Sequence, residues 1–167
     1  EELLARLKGK WRNLLKKSQK SDLKIINKLS NPEAIEELIE FYREVKKKNN
    51  FAGISSKLLR FLSKQDSDEW KFNFFIAQQK ESSELAGILV CIIHGDTATY
   101  LIGNTTALGR KTNANYILLW NAILDSKNFG CKWFDLGGFN ENTPSGIRHF
   151  KEGLKGEIYN LIGEYRG

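Results

Sequence analysis

The sequence contains no methionine, only two prolines and only two cysteines among its 167 residues. Without an initiator methionine, the chain is expected to begin inside a longer protein, and no secretory leader is visible at its start. Both prolines, Pro32 and Pro144, stand where a helix can begin, since the first helical turn tolerates a missing N–H. The two cysteines, Cys91 and Cys131, lie in apolar, strand-like runs and are expected to be buried reduced thiols. No Cys/His cluster has metal-ligand spacing, so no structural metal is expected. No apolar run approaches the ~18 residues of a membrane-spanning helix. The longest, Leu85 to Ile93, is strand-sized and interrupted by Gly87.

What is present fits one globular domain: 41% hydrophobic and 28% charged residues, in a chain long enough to bury roughly 70% of its extended surface. The net charge of +6 is not spread evenly. Residues 1–28 carry nine Lys/Arg against Glu1, Glu2 and Asp22, so the whole excess belongs to one N-terminal element. Elsewhere positive and negative charges cancel.

Residues 2–19 place Leu3, Leu4, Leu7, Trp11, Leu14 and Leu15 at helical spacing beneath a basic face. Residues 1–22 are thus expected to be a basic helix packed on a domain spanning 23–167. Leu23 to Ile26 suggests a first strand. Ser30-Asn31-Pro32-Glu33 starts a helix whose stripe is Ile35, Leu38, Ile39, Tyr42 and Val45. A shorter helix follows at Ser55 to Lys64, with Leu58, Leu59 and Leu62 inward. Strands are expected at Lys71 to Gln78, Leu85 to His94 and Thr97 to Ile102, the last two joined by the turn Gly95-Asp96. Gly103 to Asn113 is expected to be a polar loop. Ala114 to Ser126 is a helix carrying Ile117, Leu118, Trp120, Ile123 and Leu124, with Trp120 inward, closed by Gly130. Cys131 to Leu136 follows as a buried strand, then a helix from Thr143-Pro144 to about Leu154, and a last strand at Glu157 to Gly163. This order predicts an α/β fold: a mixed, largely antiparallel sheet flanked by helices, with a parallel crossover through the helix at 114–126.

From Leu23 onward the element order resembles that of the GNAT acyltransferase fold. Particular segments narrow the likeness. WFDLGG (Trp133 to Gly138), GIRHFK (Gly146 to Lys151) and GLKGEIYNLIGEY (Gly153 to Tyr165) resemble the end of the Fem family, enzymes that add bridge amino acids to peptidoglycan precursors. TYLIGNTTALGR (Thr99 to Arg110) resembles the family's strand and loop upstream, and GKWRNLLKKSQKSDLKI resembles the basic helix that opens its second domain. Family members usually pair two such domains and bind the precursor between them; one is present here, corresponding to the second.

The resemblance implies transfer of an aminoacyl group from aminoacyl-tRNA to a primary amine of a nucleotide- or lipid-linked muropeptide, with no cofactor. It implies a cytoplasmic location, compatible with peripheral membrane association through a lipid-linked substrate. The protein would hold the ester carbonyl near the amine and stabilise the developing oxyanion. Lys151, in the family's Phe-Lys pair, either donates to that oxyanion or to the terminal ribose of the tRNA, or is a solvated lysine on a short helix. Phe150 either stacks on the terminal adenine or packs in the core. Asp135 either orients and deprotonates the amine or caps the turn after its strand. Tyr100 either faces substrate or is a buried strand tyrosine. Gly137, Gly138 and Gly146 mark places where backbone turns or approaches another group, and Lys57 and Arg60 fall near the family's precursor-binding cation. His94 and His149 show no partner in the sequence and are expected to be structural or solvated. Lys8, Lys10, Arg12, Lys16 and Lys17 either meet tRNA phosphates or are solvated.

Two other functions compete. Acyl-CoA-dependent GNAT enzymes bind pyrophosphate on an Arg-x-x-Gly-x-Gly/Ala loop opening a helix. The corresponding run here is Arg110-Lys111-Thr112-Asn113-Ala114-Asn115, in which both glycines are replaced by asparagine. Acetyl-CoA would be the cofactor under that alternative. The third reading is a non-catalytic module that binds tRNA or a partner.

Overall fold

The apolar runs in the middle of the chain pair into one sheet. The computed structural model describes residues 2–28, 32–50, 53–65 and 67–160. Strands β1 (Leu23–Asn27), β2 (Trp70–Gln79), β3 (Leu85–His94), β4 (Thr97–Thr105) and β5 (Trp133–Asp135) lie side by side in chain order. The first three junctions are antiparallel, and β4 pairs with β5 in parallel. A parallel neighbour requires a crossover, and helices α5 (Ala107–Thr112) and α6 (Ala114–Phe129) supply it. The remaining helices are α1 (Glu2–Arg6), α2 (Gly9–Gln19), α3 (Pro32–Asn49), α4 (Ser56–Ser63) and α7 (Ser145–Glu152). No helix among the described residues is long and apolar enough to cross a membrane.

The chain divides into two compact units, one of residues 14–138 and one of residues 1–13 with 139–167. The expected boundary after Asp22 falls inside the larger unit.

In the larger unit, one sheet face carries Phe72, Phe74, Ile88, Val90 and Ile102 against Ala34, Ile35, Leu38, Ile39 and Tyr42 of α3 and Leu59 of α4. Each fully buried large apolar side chain here contributes roughly 1.5–3 kcal/mol. Helix α6 covers the other face. A Cβ at Gly87 would lie 3.2 Å from a Leu118 methyl, so Gly87, Leu89, Cys91 and Ile93 face α6 by strand alternation. Buried Asn73 of β2 donates to the Asp125 carboxylate of α6 at 2.9 Å, and desolvation raises that carboxyl above its ordinary value.

Burial also raises the Cys91 thiol from 9.0 to about 12 and the Tyr100 phenol from 10.0 to about 12. Both groups are neutral in the fold while they ionise in the unfolded chain. Their contribution is therefore complete below pH 9 and is lost as pH rises through about 12. The melting temperature is expected to fall across that window, and Cys91→Ala should remove part of the pH dependence.

Several expectations are corrected. The first helix is broken, because the Lys8 N–H donates to the Gly153 carbonyl at 2.9 Å instead of along the helix. Gly103 to Asn113 is not a loop: β4 runs to Thr105, and Thr106 caps α5 by accepting from the Gly109 N–H. The strand expected at Cys131 to Leu136 shortens to Trp133–Asp135, with Trp133 64% exposed. Helix α6 buries Ala114, Leu118, Leu119, Ala122 and Ser126; Trp120, expected inward, is only half-buried, and Leu124 is exposed. Leu58 of α4 is likewise exposed, whereas Leu59 is buried. In the last expected strand, residues 157–160 are not strand, and 161–163 lie outside the described residues, as do Ser30 and Asn31.

Candidate functional site

Strand β4 is paired with β5 only through Thr97, Ala98 and Thr99, opposite Trp133, Phe134 and Asp135. Beyond Thr99 it continues to Thr105 without a strand partner on that side among the described residues. Tyr100 and Asp135 therefore stand where the parallel pair ends. A bulge marks the same place: Cys91 pairs with Tyr100 and Val90 with Ile102, leaving Leu101 without a partner in the register. The extra residue lets Leu101 and Ile102 both join the α3 side, while Tyr100, opposite Cys91, faces α6. Its ring lies along its own strand, with the hydroxyl over Gly103, where a Cβ would be far too close. Half-buried and held neutral, this phenol is suited to hydrogen bonding and not to proton abstraction near neutral pH.

Asp135 accepts from the Gly137 N–H through Oδ1 at 2.7 Å, the geometry of a side chain that caps the turn after its strand. Gly137 has φ of +68°, a left-handed conformation in which glycine is favoured. Gly138 and Gly146 differ. Neither has positive φ, and nothing lies within 4 Å of a Cβ built on either, so no turn or close approach within the chain requires glycine there.

Arg60 and Lys57 lie on α4. The Arg60 guanidinium grips the Glu36 carboxylate of α3 with two bonds of 2.7 Å, which holds that carboxyl below its ordinary value. Lys57 is exposed. His94 shares a 2.9 Å hydrogen bond with the Thr99 hydroxyl, and the His149 Nδ1 lies 2.7 Å from the Ser145 carbonyl.

The smaller unit brings Phe150 and Lys151 together with the N-terminal basic segment. Lys151 occupies the last turn of α7, where the helix dipole favours a cation. Phe150 stacks on Trp11, with ring centroids 6.0 Å apart and planes 28° from parallel. One face of Phe150 thus packs against protein, and any base would stack on the other. Lys8 and Lys10 are exposed in this segment, and Arg12 donates to the Ala5 carbonyl at 3.1 Å. Lys16 and Lys17, also exposed, belong to the larger unit. Sequence reasoning missed the Trp11–Phe150 contact. The available signal was a tryptophan on the inward stripe of an otherwise basic helix.

The segment expected to hold pyrophosphate in an acyl-CoA enzyme is folded differently from an open loop. Arg110, Lys111 and Thr112 form the last turn of α5, the Arg110 N–H donates to the Thr106 carbonyl at 3.0 Å, and the Asn113 N–H turns back to the Arg110 carbonyl at 3.4 Å. Asn113 itself is left-handed, with φ of +57°, and links α5 directly to α6.

A five-stranded mixed sheet, helices on both faces and a parallel pair that parts beside Tyr100 and Asp135 together define a GNAT-like fold. The FemAB family profile matches residues 55–167, and the chain belongs to the FemAB family. The crystal structure of FemX superposes with a TM-score of 0.74 at 11% identity, over 92% of this chain and 55% of FemX. The chain therefore spans about half the length of that relative. An aminoglycoside acetyltransferase, meta-AAC0020, from an uncultured soil metagenomic sample in complex with sisomicin, superposes at 0.65 with 16% identity, over 87% of this chain and 96% of its own. A GNAT family acetyltransferase of Staphylococcus aureus subsp. aureus USA300_TCH1516 gives 0.52 at 17% identity, over 86% and 98%. At these identities the likeness is one of fold. No curated protein matches the sequence.

Proposed function

We propose that this chain is the acyltransferase domain of an aminoacyltransferase that moves an amino acid from aminoacyl-tRNA to a primary amine of a peptidoglycan precursor in the cytoplasm. The observation that carries the choice of donor is helix α5. Acyl-CoA enzymes need free backbone N–H groups ahead of the crossover helix to hold pyrophosphate. Here those of Arg110 and Asn113 are committed to carbonyls of the same turn. The N-terminal basic face offers the other half of the argument, since a polyanionic donor such as tRNA is held through its phosphates.

The donor ester is already activated, so the protein's task is placement and charge stabilisation. Lys151 donates to the oxyanion that forms as the amine attacks. The amine releases its proton to solvent as the new bond forms, and Asp135 stays the cap of the turn after β5. No cofactor is required by this scheme.

The test is a pair of titrations on the full-length protein. Binding of charged tRNA with no affinity for acetyl-CoA is expected; the reverse would assign the chain to the acetyl-CoA enzymes that share its fold. Binding of charged tRNA without transfer to a muropeptide amine would instead make it a binding module. Neutralising Lys8, Lys10, Arg12 and Lys16 together is expected to lower the log–log salt slope of tRNA binding by about 2.8–3.6, at roughly 0.7–0.9 for each phosphate no longer neutralised. An unchanged slope would remove these residues from the interface.

A further inference from the structure

Helix α7 is too short to fix its own position. It has eight residues, and none of its side chains is fully buried. A helix of that length is marginal without outside contacts, yet Lys151 rides on its last turn. The contacts come from the beginning of the chain. At a helix C-terminus the final carbonyls lack intrahelical donors. In α7 the Gly153 N–H serves the His149 carbonyl and the Leu154 N–H serves that of Lys151. The carbonyl between them, that of Phe150, accepts from the Trp11 indole N–H at 3.1 Å.

Three further observations concern the same indole. Trp11 is only 3% exposed, and its ring stacks on Phe150. The Lys8 N–H, one turn away, donates to the Gly153 carbonyl at 2.9 Å. A Cβ at Gly153 would lie 2.3 Å from Trp11 Cδ1, so the residue after α7 has to be glycine for the indole to fit. Gly153 has φ of −66°, open to any residue, and close approach is therefore its only requirement.

From this arrangement we propose that Trp11 is a positioning residue for Lys151, and that the basic N-terminal segment is part of the apparatus that aims the catalytic side chain. The proposal rests on the role given to Lys151 above. The indole sets the position of the Phe150 carbonyl, and with it the peptide that leads into Lys151. A displacement of about 1 Å at a reacting centre costs on the order of a hundredfold in rate.

Trp11→Phe keeps a ring of similar shape and deletes the N–H. In single-turnover transfer from charged tRNA by the full-length protein, it is expected to lower the rate about tenfold with KM for tRNA within about twofold, because the lost bond misplaces a group that acts in the transition state. Gly153→Ala, which keeps the indole but crowds it, is expected to give the same pattern and serves if Trp11→Phe fails to fold. The discriminating measurement is the double variant. On a Lys151→Met background, Trp11→Phe is expected to change the residual rate by less than about twofold, since there is no longer a lysine to aim. If the two losses multiply, or if Trp11→Phe leaves the rate unchanged, Trp11 does not act through Lys151 and the proposal is overturned. If Lys151→Met alone transfers at the wild-type rate, it is the assignment of Lys151 that fails.

Discussion

Lys151→Met is expected to slow aminoacyl transfer by about 10²–10³-fold, the effect of removing one preorganised donor to an oxyanion. Methionine keeps much of the length and apolar stem of lysine and has nearly the same helix propensity, so α7 should persist. The lost interaction of a cation with the helix C-terminus costs roughly 0.3–1 kcal/mol. The measurement is the rate of labelled amino acid transfer to a muropeptide amine, with the melting curve as the control for folding. Lys57→Met is the matched comparison: that lysine is an exposed residue of α4, and its loss is expected to affect acceptor KM if it binds precursor and nothing if it is solvated. A Lys151→Met protein that folds normally and transfers at the wild-type rate would falsify the assignment of the Phe-Lys pair.

Gly109→Ala is expected to be the most destabilising single methyl addition in the larger unit. A Cβ at Gly109 would lie 1.8 Å from the Ala86 carbonyl oxygen, 2.8 Å from its carbon and 2.9 Å from Thr105 Cβ. Two of these atoms are backbone of a central strand and cannot rotate away. Moving α5 outward would also break the 2.9 Å bond from the Thr106 N–H to the same Ala86 carbonyl and the 2.8 Å bond from the Thr106 hydroxyl to Leu85. Overpacking costs about 1–3 kcal/mol, and a buried carbonyl left without its donor costs about 1–3 kcal/mol more. For a chain of this size the melting temperature should fall by roughly 5–15 °C. Gly146→Ala supplies the contrast. It adds the same methyl group within a helix, into open space, and is expected to be neutral or stabilising by up to about 1 kcal/mol. Equal effects of the two substitutions would show that close packing against Ala86 is not what Gly109 provides.

The parts of the fold that the sequence revealed are those where one physical signal dominates. Leu85 to His94 is buried on both faces and is apolar nearly throughout, so a central strand was plain. Helix α3 has one face on the sheet, and its stripe of Ile35, Leu38, Ile39 and Tyr42 is buried as spaced. Periodicity failed where the helix is apolar on most sides. In α6, Ile117, Trp120, Ile123 and Leu124 compete with Ala114, Leu118, Leu119, Ala122 and Ser126, and it is this second set, two leucines among small residues, that is buried. Helix α5 was missed because six residues with a central glycine carry no pattern; it exists through the Thr106 cap and the fit of Gly109 against Ala86. Of the candidate site, the family likeness pointed to Phe150 and Lys151, and helical spacing put Trp11 on a buried face. That Trp11 and Phe150 meet was not legible, since 139 residues separate them.

That separation also orders events in time. The smaller unit is made from the two ends of the described chain, whereas residues 14–138 form a continuous stretch. During synthesis, residues 1–13 emerge ahead of Phe150 and Gly153 and cannot make these contacts until both have left the ribosome. Their exposed cations keep them soluble during that wait. The sheet can close beforehand, on contacts between neighbouring strands, while the Trp11 clamp must close across 139 residues and so forms late. A product cut short before Ser145 would hold the sheet and its helices and lack Phe150, Lys151 and Gly153, and with them the partners of Trp11.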